Sequence, residues 1–90
     1  MIERASRIKD RHGLHARPSK RICQEALQYP DTTVSLIDPS NGKTVDAKSV
    51  LEIMLLALDH DALIIIRAEG PHEDEVSEAI IRVIRTFDVE

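Results

Sequence analysis

Apolar and polar residues along this chain follow two spacings, one typical of β-strands and one typical of α-helices. Strand spacing is seen in Thr33–Ile37 and more weakly from about Ile2 to Ile8, where polar residues interrupt it, and the continuous apolar run Leu63–Ile66 predicts a buried strand. Residues 41–42 are Asn-Gly, which favours a hairpin and predicts that residues 43–45 return antiparallel to the strand before them.

Helical spacing separates these strands. The first predicted helix runs from about Arg17 to Tyr29 and ends before Pro30, because a residue that precedes proline disfavours the helical conformation. A second helix is predicted from Ser49 to about Leu58. The last helix has acidic residues at its start and arginines near its end, as the helix dipole favours. Its one-sided apolar stripe consists of Val76, Ala79, Ile80, Val83, Ile84 and Phe87.

The predicted order of elements is therefore βαββαβα. The 90 residues form one small domain, residues 1–90, whose 42% of apolar residues suffices for a core. One antiparallel sheet with the helices on one face buries every apolar stripe, so we expect an α+β fold.

Charge is distributed unevenly along the chain, although the net charge is −4 at pH 7. The negative balance disfavours nucleic-acid binding, whereas a basic first quarter attracts acidic or phosphorylated partners. A later stretch, residues 69–75, is acidic. The basic residues of the first quarter are Arg4, Arg7, Lys9, Arg11, Arg17, Lys20 and Arg21.

Cysteine usage and hydropathy indicate the compartment. Cys23 is the one cysteine, so no disulfide forms within a monomer, and its place on the apolar stripe of the first helix predicts a packing role. The sequence shows neither a signal-peptide hydrophobic region nor an apolar run of membrane-spanning length. We therefore expect a cytoplasmic protein with no membrane insertion.

The strongest candidate for chemistry is the sequence G-L-H-A-R-P at residues 13–18. Pro18 fits the first turn of a helix, so His15 lies at a helix N-terminus, where unpaired N–H groups and the dipole favour an anion. Arg17 adds a guanidinium that matches phosphate oxygens, and imidazole is a nucleophile near neutral pH. Together these features predict a phosphoryl group carried on His15; the alternative is a solvated loop residue or a simple cap.

The second predicted helix begins with a capping box. Ser49 and Glu52 have the S-x-x-E spacing in which each side chain accepts the backbone N–H of the other residue. A phosphate on such a serine is electrostatically tolerated, with Lys48 alongside.

The residues after Ser49 are apolar nearly all round the helix, so one sheet does not bury every face. Val50, Leu51 and Met54 are predicted to form an exposed docking surface. The alternative is that the first helix or a neighbouring loop covers them.

In combination, these motifs resemble HPr, the phosphocarrier of the phosphoenolpyruvate-dependent sugar phosphotransferase system. The resemblance rests on residues 13–18, on N-G-K-T-V at 41–45 followed by A-K-S-V at 47–50, and on A-E-G at 68–70. It spans essentially the whole chain. It implies the HPr-like open-faced β-sandwich, a four-stranded antiparallel sheet with three helices on one face.

The resemblance also implies a function. His15 would accept phosphate, through Nδ1, from phosphorylated enzyme I and pass it to enzyme IIA, with Arg17 as the second catalytic residue. Ala16, Arg17 and Pro18 would bind the phosphate, and Ser49 would be the regulatory serine phosphorylated by HPr kinase. Such a protein is a monomeric carrier rather than an enzyme, with no cofactor and no metal. HPr kinase/phosphorylase and a transcriptional regulator are implied as further partners.

Docking to these partners is expected to involve Lys20, Arg21, Lys48, Val50, Leu51 and Met54. Several positions depart from the usual family pattern. Ser19 and Lys20 replace small apolar residues, His12 adds a second titratable ring near His15, and Glu52 puts a negative charge beside the docking surface.

Other interpretations remain open at the level of sequence. Glu52 favours a nitrogen-related or regulatory HPr paralogue that acts mainly by protein–protein binding, including one controlled through phosphorylated Ser49. A different class is a small ligand-binding regulatory domain in which His15 is structural. A third is metal binding by His12 and His15 together with His60 or His72, although the H-x-x-H spacing is a weak signal.

Overall fold

A computed structural model describes residues 1–86, and the predicted order of elements is confirmed. Phe87, expected on the stripe of the last helix, lies outside the described residues. The elements are β1 (Ile2–Arg7), α1 (Ala16–Leu27), β2 (Thr33–Asp38), β3 (Lys43–Asp46), α2 (Val50–Leu55), β4 (Leu63–Glu69) and α3 (Glu73–Thr86). None of the helices described is long and apolar enough to cross a membrane.

The strands form one four-stranded antiparallel sheet in the order β1-β4-β2-β3, as the α+β prediction requires. Strand β4 pairs with both β1 and β2, so Ile66 lies opposite Arg4 on one side and Leu36 on the other. Ile64, Ile66 and Leu36 are fully buried because the helices cover this face of the sheet. The fold is an open-faced sandwich, with its apolar core between the sheet and the helices.

Helices α1 and α3 pack on each other and complete the core. Ile22 and Ala26 of α1 are fully buried, and Cys23 is buried beside them, which confirms its packing role. Arg4 accounts for the weak alternation of β1: its Nε donates a hydrogen bond to the buried Ser77 Oγ of α3 at 2.8 Å. A polar residue on this face of the strand therefore ties the edge of the sheet to a helix.

The predicted hairpin is also confirmed. Asp38 and Lys43 form the last pair of β2 and β3, and residues 39–42 connect them. Gly42 has φ +77°, a conformation in which glycine avoids the steric cost of a Cβ, and its N–H donates to the Asp38 carbonyl at 2.8 Å.

Three boundaries differ from the sequence prediction by two residues or more. Helix α1 ends at Leu27 rather than Tyr29, because the last N–H groups bond three residues back in a tighter turn. Helix α2 ends at Leu55 rather than near Leu58, because Ala57 turns the chain with φ +53°. Strand β4 continues to Glu69, since its last residues pair with both neighbouring strands.

Candidate active site

His15 is the N-cap residue of α1, as its sequence context predicts. Its backbone is extended (φ −85°, ψ −167°), and its carbonyl accepts the N–H of Ser19 at 3.1 Å. The imidazole makes no capping hydrogen bond to the helix, and its side chain is 33% exposed. The ring therefore lies at the helix N-terminus and is accessible from solvent.

The loop before His15 is held by the segment that follows α2. Gly13 has φ +75°, and a Cβ there would overlap the carbonyl oxygen of Leu58. The N–H of the buried Leu14 donates to that same oxygen at 2.8 Å. Glycine at position 13 is thus required both by its conformation and by the close approach of another backbone.

Asp10 is a residue of this site that the sequence reasoning missed. Its Oδ2 lies 3.0 Å from His15 Nε2, and its Oδ1 accepts the backbone N–H of His12 at 2.8 Å. The His12 N–H, with the His15 ring, holds the pKa of Asp10 below its ordinary value of 3.8 against the opposing effect of burial. The sequence signal that could have identified it is an aspartate near a glycine turn, since such a side chain accepts the backbone N–H of the residue two positions later.

The first turn of α1 supplies the surroundings predicted for an anion. Ala16 and Arg17 are exposed, whereas Pro18 and Ser19 are buried against the core. At this end of a helix the N–H groups of Ala16 and Arg17 have no acceptor within the helix, and Pro18 has no N–H. Two backbone donors and a guanidinium therefore lie in the turn that His15 begins.

The second histidine near His15 is His12, whose ring meets that of His15 edge-on with centroids 5.9 Å apart. His72 instead binds Asp31, with Nδ1 3.1 Å from Oδ2. Within residues 1–86, no three His, Cys, Asp or Glu side chains are grouped so as to hold a metal ion. The geometry therefore gives the metal-binding interpretation no support.

The capping box at Ser49 is only half formed. Ser49 Oγ accepts the N–H of Glu52 at 3.3 Å, as predicted. Glu52 Oε1 accepts the N–H of Asp46 at 3.1 Å, rather than that of Ser49, which donates to the Asp46 carbonyl. The prediction of reciprocal capping is wrong because the turn after β3 already satisfies the Ser49 N–H. Lys48 Nζ donates to the Tyr29 carbonyl, so this cation is engaged at the end of α1.

Exposed apolar side chains form a surface on α2 that we call the α2 patch: Leu51 (77% exposed), Met54 (40%) and Leu55 (61%). Val50, predicted to belong to it, is half-buried against the core. Leu55 was missed, although its spacing of four residues from Leu51 places it on the same helical face. The basic residues proposed for docking on α1, Lys20 and Arg21, are exposed.

Comparison with known proteins gives this site a context. The family described as "PTS HPr component phosphorylation site" matches residues 2–86. The chain belongs to the HPr family. HPr of Cupriavidus necator is 35% identical over 85 residues, covering 93% of this chain and 91% of that protein. The HPr-like protein Crh of Halalkalibacterium halodurans is 36% identical over 84 residues, covering 93% and 96%.

The fold agrees with this family. The crystal structure of HPr-C-His from Thermoanaerobacter tengcongensis matches with a TM-score of 0.90 at 31% identity, covering 100% of this chain and 98% of that one. The resemblance predicted from the motifs is therefore confirmed. The chain thus has both the sequence and the fold of the HPr phosphocarrier family.

Proposed function

We propose that this member of the HPr family accepts a phosphoryl group on His15 from phosphorylated enzyme I and passes it to enzyme IIA. The observation that carries the proposal is the position of His15, whose solvent-accessible imidazole lies at the N-terminus of α1 and makes no capping hydrogen bond to the helix. The helix dipole and the N–H groups of the first turn at that end favour the charge of a phosphoryl group. Membership in the HPr family, which includes phosphocarriers, supports a carrier role for this chain.

Arg17 and its neighbours stabilise the phosphoryl group in this proposal. Phosphoryl transfer depends on positioning and on electrostatic stabilisation of the equatorial oxygens, which a guanidinium provides. The N–H groups of Ala16 and Arg17 bind the oxygens, while Pro18 fixes the turn that presents them. In this proposal the protein is a carrier with no turnover of its own, and it acts in the cytoplasm as a monomer.

Incubation with phosphoenolpyruvate and enzyme I tests the proposal. The wild-type protein is expected to gain one acid-labile phosphate, and His15→Ala to gain none. His12→Ala, which removes the neighbouring ring, is the matched control and should still be labelled. Acid-labile phosphate on the His15→Ala protein contradicts the assignment.

Docking of these partners is proposed to use the α2 patch together with Lys20 and Arg21. The patch exposes large apolar side chains that the fold does not cover, which is typical of an interaction surface. Val50 contributes only its exposed part, and Lys48 is engaged with Tyr29. Glu52 is exposed on the same helix as the α2 patch and adds a negative charge that partners must accommodate.

A second candidate function is regulation through phosphorylated Ser49, by HPr kinase/phosphorylase and a transcriptional regulator. The similarity to the HPr-like protein Crh favours it, as does the position of Ser49 at the N-cap of α2. The carboxylate of Glu52 on the same turn opposes a phosphate there. Treatment with ATP and HPr kinase should give an acid-stable adduct that Ser49→Ala loses, and a wild-type protein without this adduct contradicts the regulatory role.

A further inference from the structure

Asp10 links the turn before His15 to the imidazole ring itself. One carboxylate oxygen accepts the His12 backbone N–H at 2.8 Å, and the other lies 3.0 Å from His15 Nε2. The side chain is 13% exposed, compared with 33% for His15. The carboxylate is therefore held from two sides and partly shielded from water, which strengthens its interaction with the ring.

The protonation state of Asp10 decides which nitrogen of His15 carries the proton. The backbone bond from His12 holds the pKa of Asp10 below its ordinary value, so at neutral pH the group is a carboxylate and only accepts hydrogen bonds. The hydrogen shared with His15 must then lie on Nε2. In the neutral ring the other nitrogen, Nδ1, carries the lone pair.

We propose that Asp10 is a positioning residue for phosphoryl transfer, which keeps the proton of His15 on Nε2 and orients the ring so that Nδ1 is the nucleophile. This inference rests on the proposed function of His15. Carboxylates that accept the second ring N–H of a metal-ligating histidine have this effect, since they fix the tautomer and the orientation of the ring.

The chemistry of the transfer is consistent with this role. The Nδ1 lone pair forms the new bond to phosphorus, while the bond from phosphorus to the donor atom breaks and its electron pair stays with the donor. The proton remains on Nε2, so the phosphorylated ring carries a positive charge that the Asp10 carboxylate offsets. In the next transfer a nucleophilic atom of the acceptor protein forms a bond to phosphorus while the N–P bond breaks. The electron pair of that bond returns to Nδ1, and the neutral ring is restored.

A purely structural role for Asp10, as the residue that closes the turn at His12, makes a different prediction. In that case the tautomer of His15 does not depend on the carboxylate. The nitrogen chemical shifts of His15 in ¹⁵N-labelled protein distinguish the two roles, because protonated and unprotonated ring nitrogens have well-separated shifts. This measurement uses the unphosphorylated protein and needs no partner.

Asp10→Ala and Asp10→Asn are the variants to compare with the wild-type protein near neutral pH. The wild-type spectrum should show a protonated Nε2 and an unprotonated Nδ1 for His15. In Asp10→Ala the two shifts should move towards each other, and the rate of phosphate uptake from enzyme I should fall roughly tenfold, the lower end of the effect seen when such a carboxylate is lost. In Asp10→Asn the amide oxygen can keep the His12 N–H, and the amide NH2 then faces His15 Nε2 as a donor. The proton of His15 should therefore move to Nδ1, and the rate should fall at least as far as in Asp10→Ala.

Asp31→Ala is the matched control, because Asp31 binds a different histidine, His72, at 3.1 Å. It should change the nitrogen shifts of His72 and leave those of His15 and the rate unchanged. Amide spectra establish whether each variant is folded. If Asp10→Ala does not fold, the comparison is made with Asp10→Asn alone. Unchanged His15 shifts in the folded Asp10 variants, or rates within twofold of the wild type, overturn the inference. If the wild-type protein takes up no phosphate, the proposed function fails, and the nitrogen shifts still decide whether Asp10 sets the tautomer.

Discussion

The backbone N–H of Leu14 donates a hydrogen bond to the carbonyl oxygen of Leu58 at 2.8 Å, across almost half of the chain. Leu58 lies just after the turn at Ala57, where the chain leaves α2 with a positive φ. Leu14 immediately precedes His15. The position of the proposed phosphoryl acceptor therefore depends on where α2 ends as well as on α1.

Gly13→Ala is expected to destabilise the protein by about 1–3 kcal/mol, because alanine would be strained at φ +75° and its Cβ would overlap the Leu58 carbonyl. Urea denaturation measures the loss in the free energy of unfolding. Gly42→Ala is the matched control, since Gly42 has φ +77° but no atom within 4 Å of a Cβ. It should cost only about 1 kcal/mol. Equal losses in the two variants would contradict the close-approach explanation.

Leu51→Ser should weaken docking without weakening the fold. Leu51 is 77% exposed, so the free energy of unfolding should change by less than about 0.5 kcal/mol. If the α2 patch contacts enzyme I, the KM for phosphorylated enzyme I should rise by roughly threefold to tenfold, as for a contact worth about 1 kcal/mol.

Leu27→Ser provides the control for this variant. Leu27 is 56% exposed at the far end of α1, about 18 Å along the helix axis from His15. Its replacement should leave the KM unchanged. An unchanged KM in Leu51→Ser, or an equal rise in both variants, would exclude the α2 patch as the docking surface.

Ser49→Ala should destabilise the protein by about 1 kcal/mol, because it removes the acceptor for the Glu52 N–H at the start of α2. Thermal unfolding measures the effect. Ser49→Asp keeps a capping oxygen and should retain most of the stability. The capping role is refuted if alanine and aspartate at this position are equally stable and match the wild type.

Acid should destabilise the protein through Asp10. The pKa of Asp10 is lower in the folded protein than its ordinary value of 3.8, so on acidification the unfolded chain takes up this proton first. The stabilisation is complete above the ordinary pKa and is lost as pH falls through the lower, folded value.

Urea denaturation between about pH 5 and pH 2 should therefore show a shallower decline in unfolding free energy for Asp10→Asn than for the wild type. His12→Ala keeps the backbone N–H that is the main cause of the lowered pKa, and so should retain most of the wild-type decline. The same slope in Asp10→Asn and in the wild type would show that the native carboxylate has no lowered pKa.

Local patterns predicted the fold well because each element carries its own signal. The apolar stripe of α3, the proline in the first turn of α1 and the Asn-Gly at the hairpin are all read from neighbouring residues. The end of α2 was not predicted correctly. The apolar pattern continues to Leu58, but the pairing of Leu58 with Leu14 requires the chain to turn earlier.

The candidate site, too, has residues that the sequence predicted and residues that only the structure identified. His15, Arg17 and Pro18 belong to one continuous motif, and the sequence was enough to place His15 at a helix N-terminus. Asp10 lies outside that motif, and its contact with the ring depends on how the loop folds. The membership of Leu55 in the α2 patch, and the burial of Val50, likewise depend on how α2 is rotated against the core.

By itself the sequence determined the order of strands and helices, the family and the histidine proposed to carry the phosphoryl group, because these depend on spacing among near neighbours. The tertiary structure decided which groups are in contact. The Leu58 carbonyl binds the loop before His15, the Asp10 carboxylate lies at His15 Nε2, and the Glu52 carboxylate accepts the N–H of Asp46 rather than that of Ser49. Such contacts arise from the packing of segments distant along the chain and from loop conformations that competing hydrogen bonds select. Neither periodicity nor a short motif contains that information.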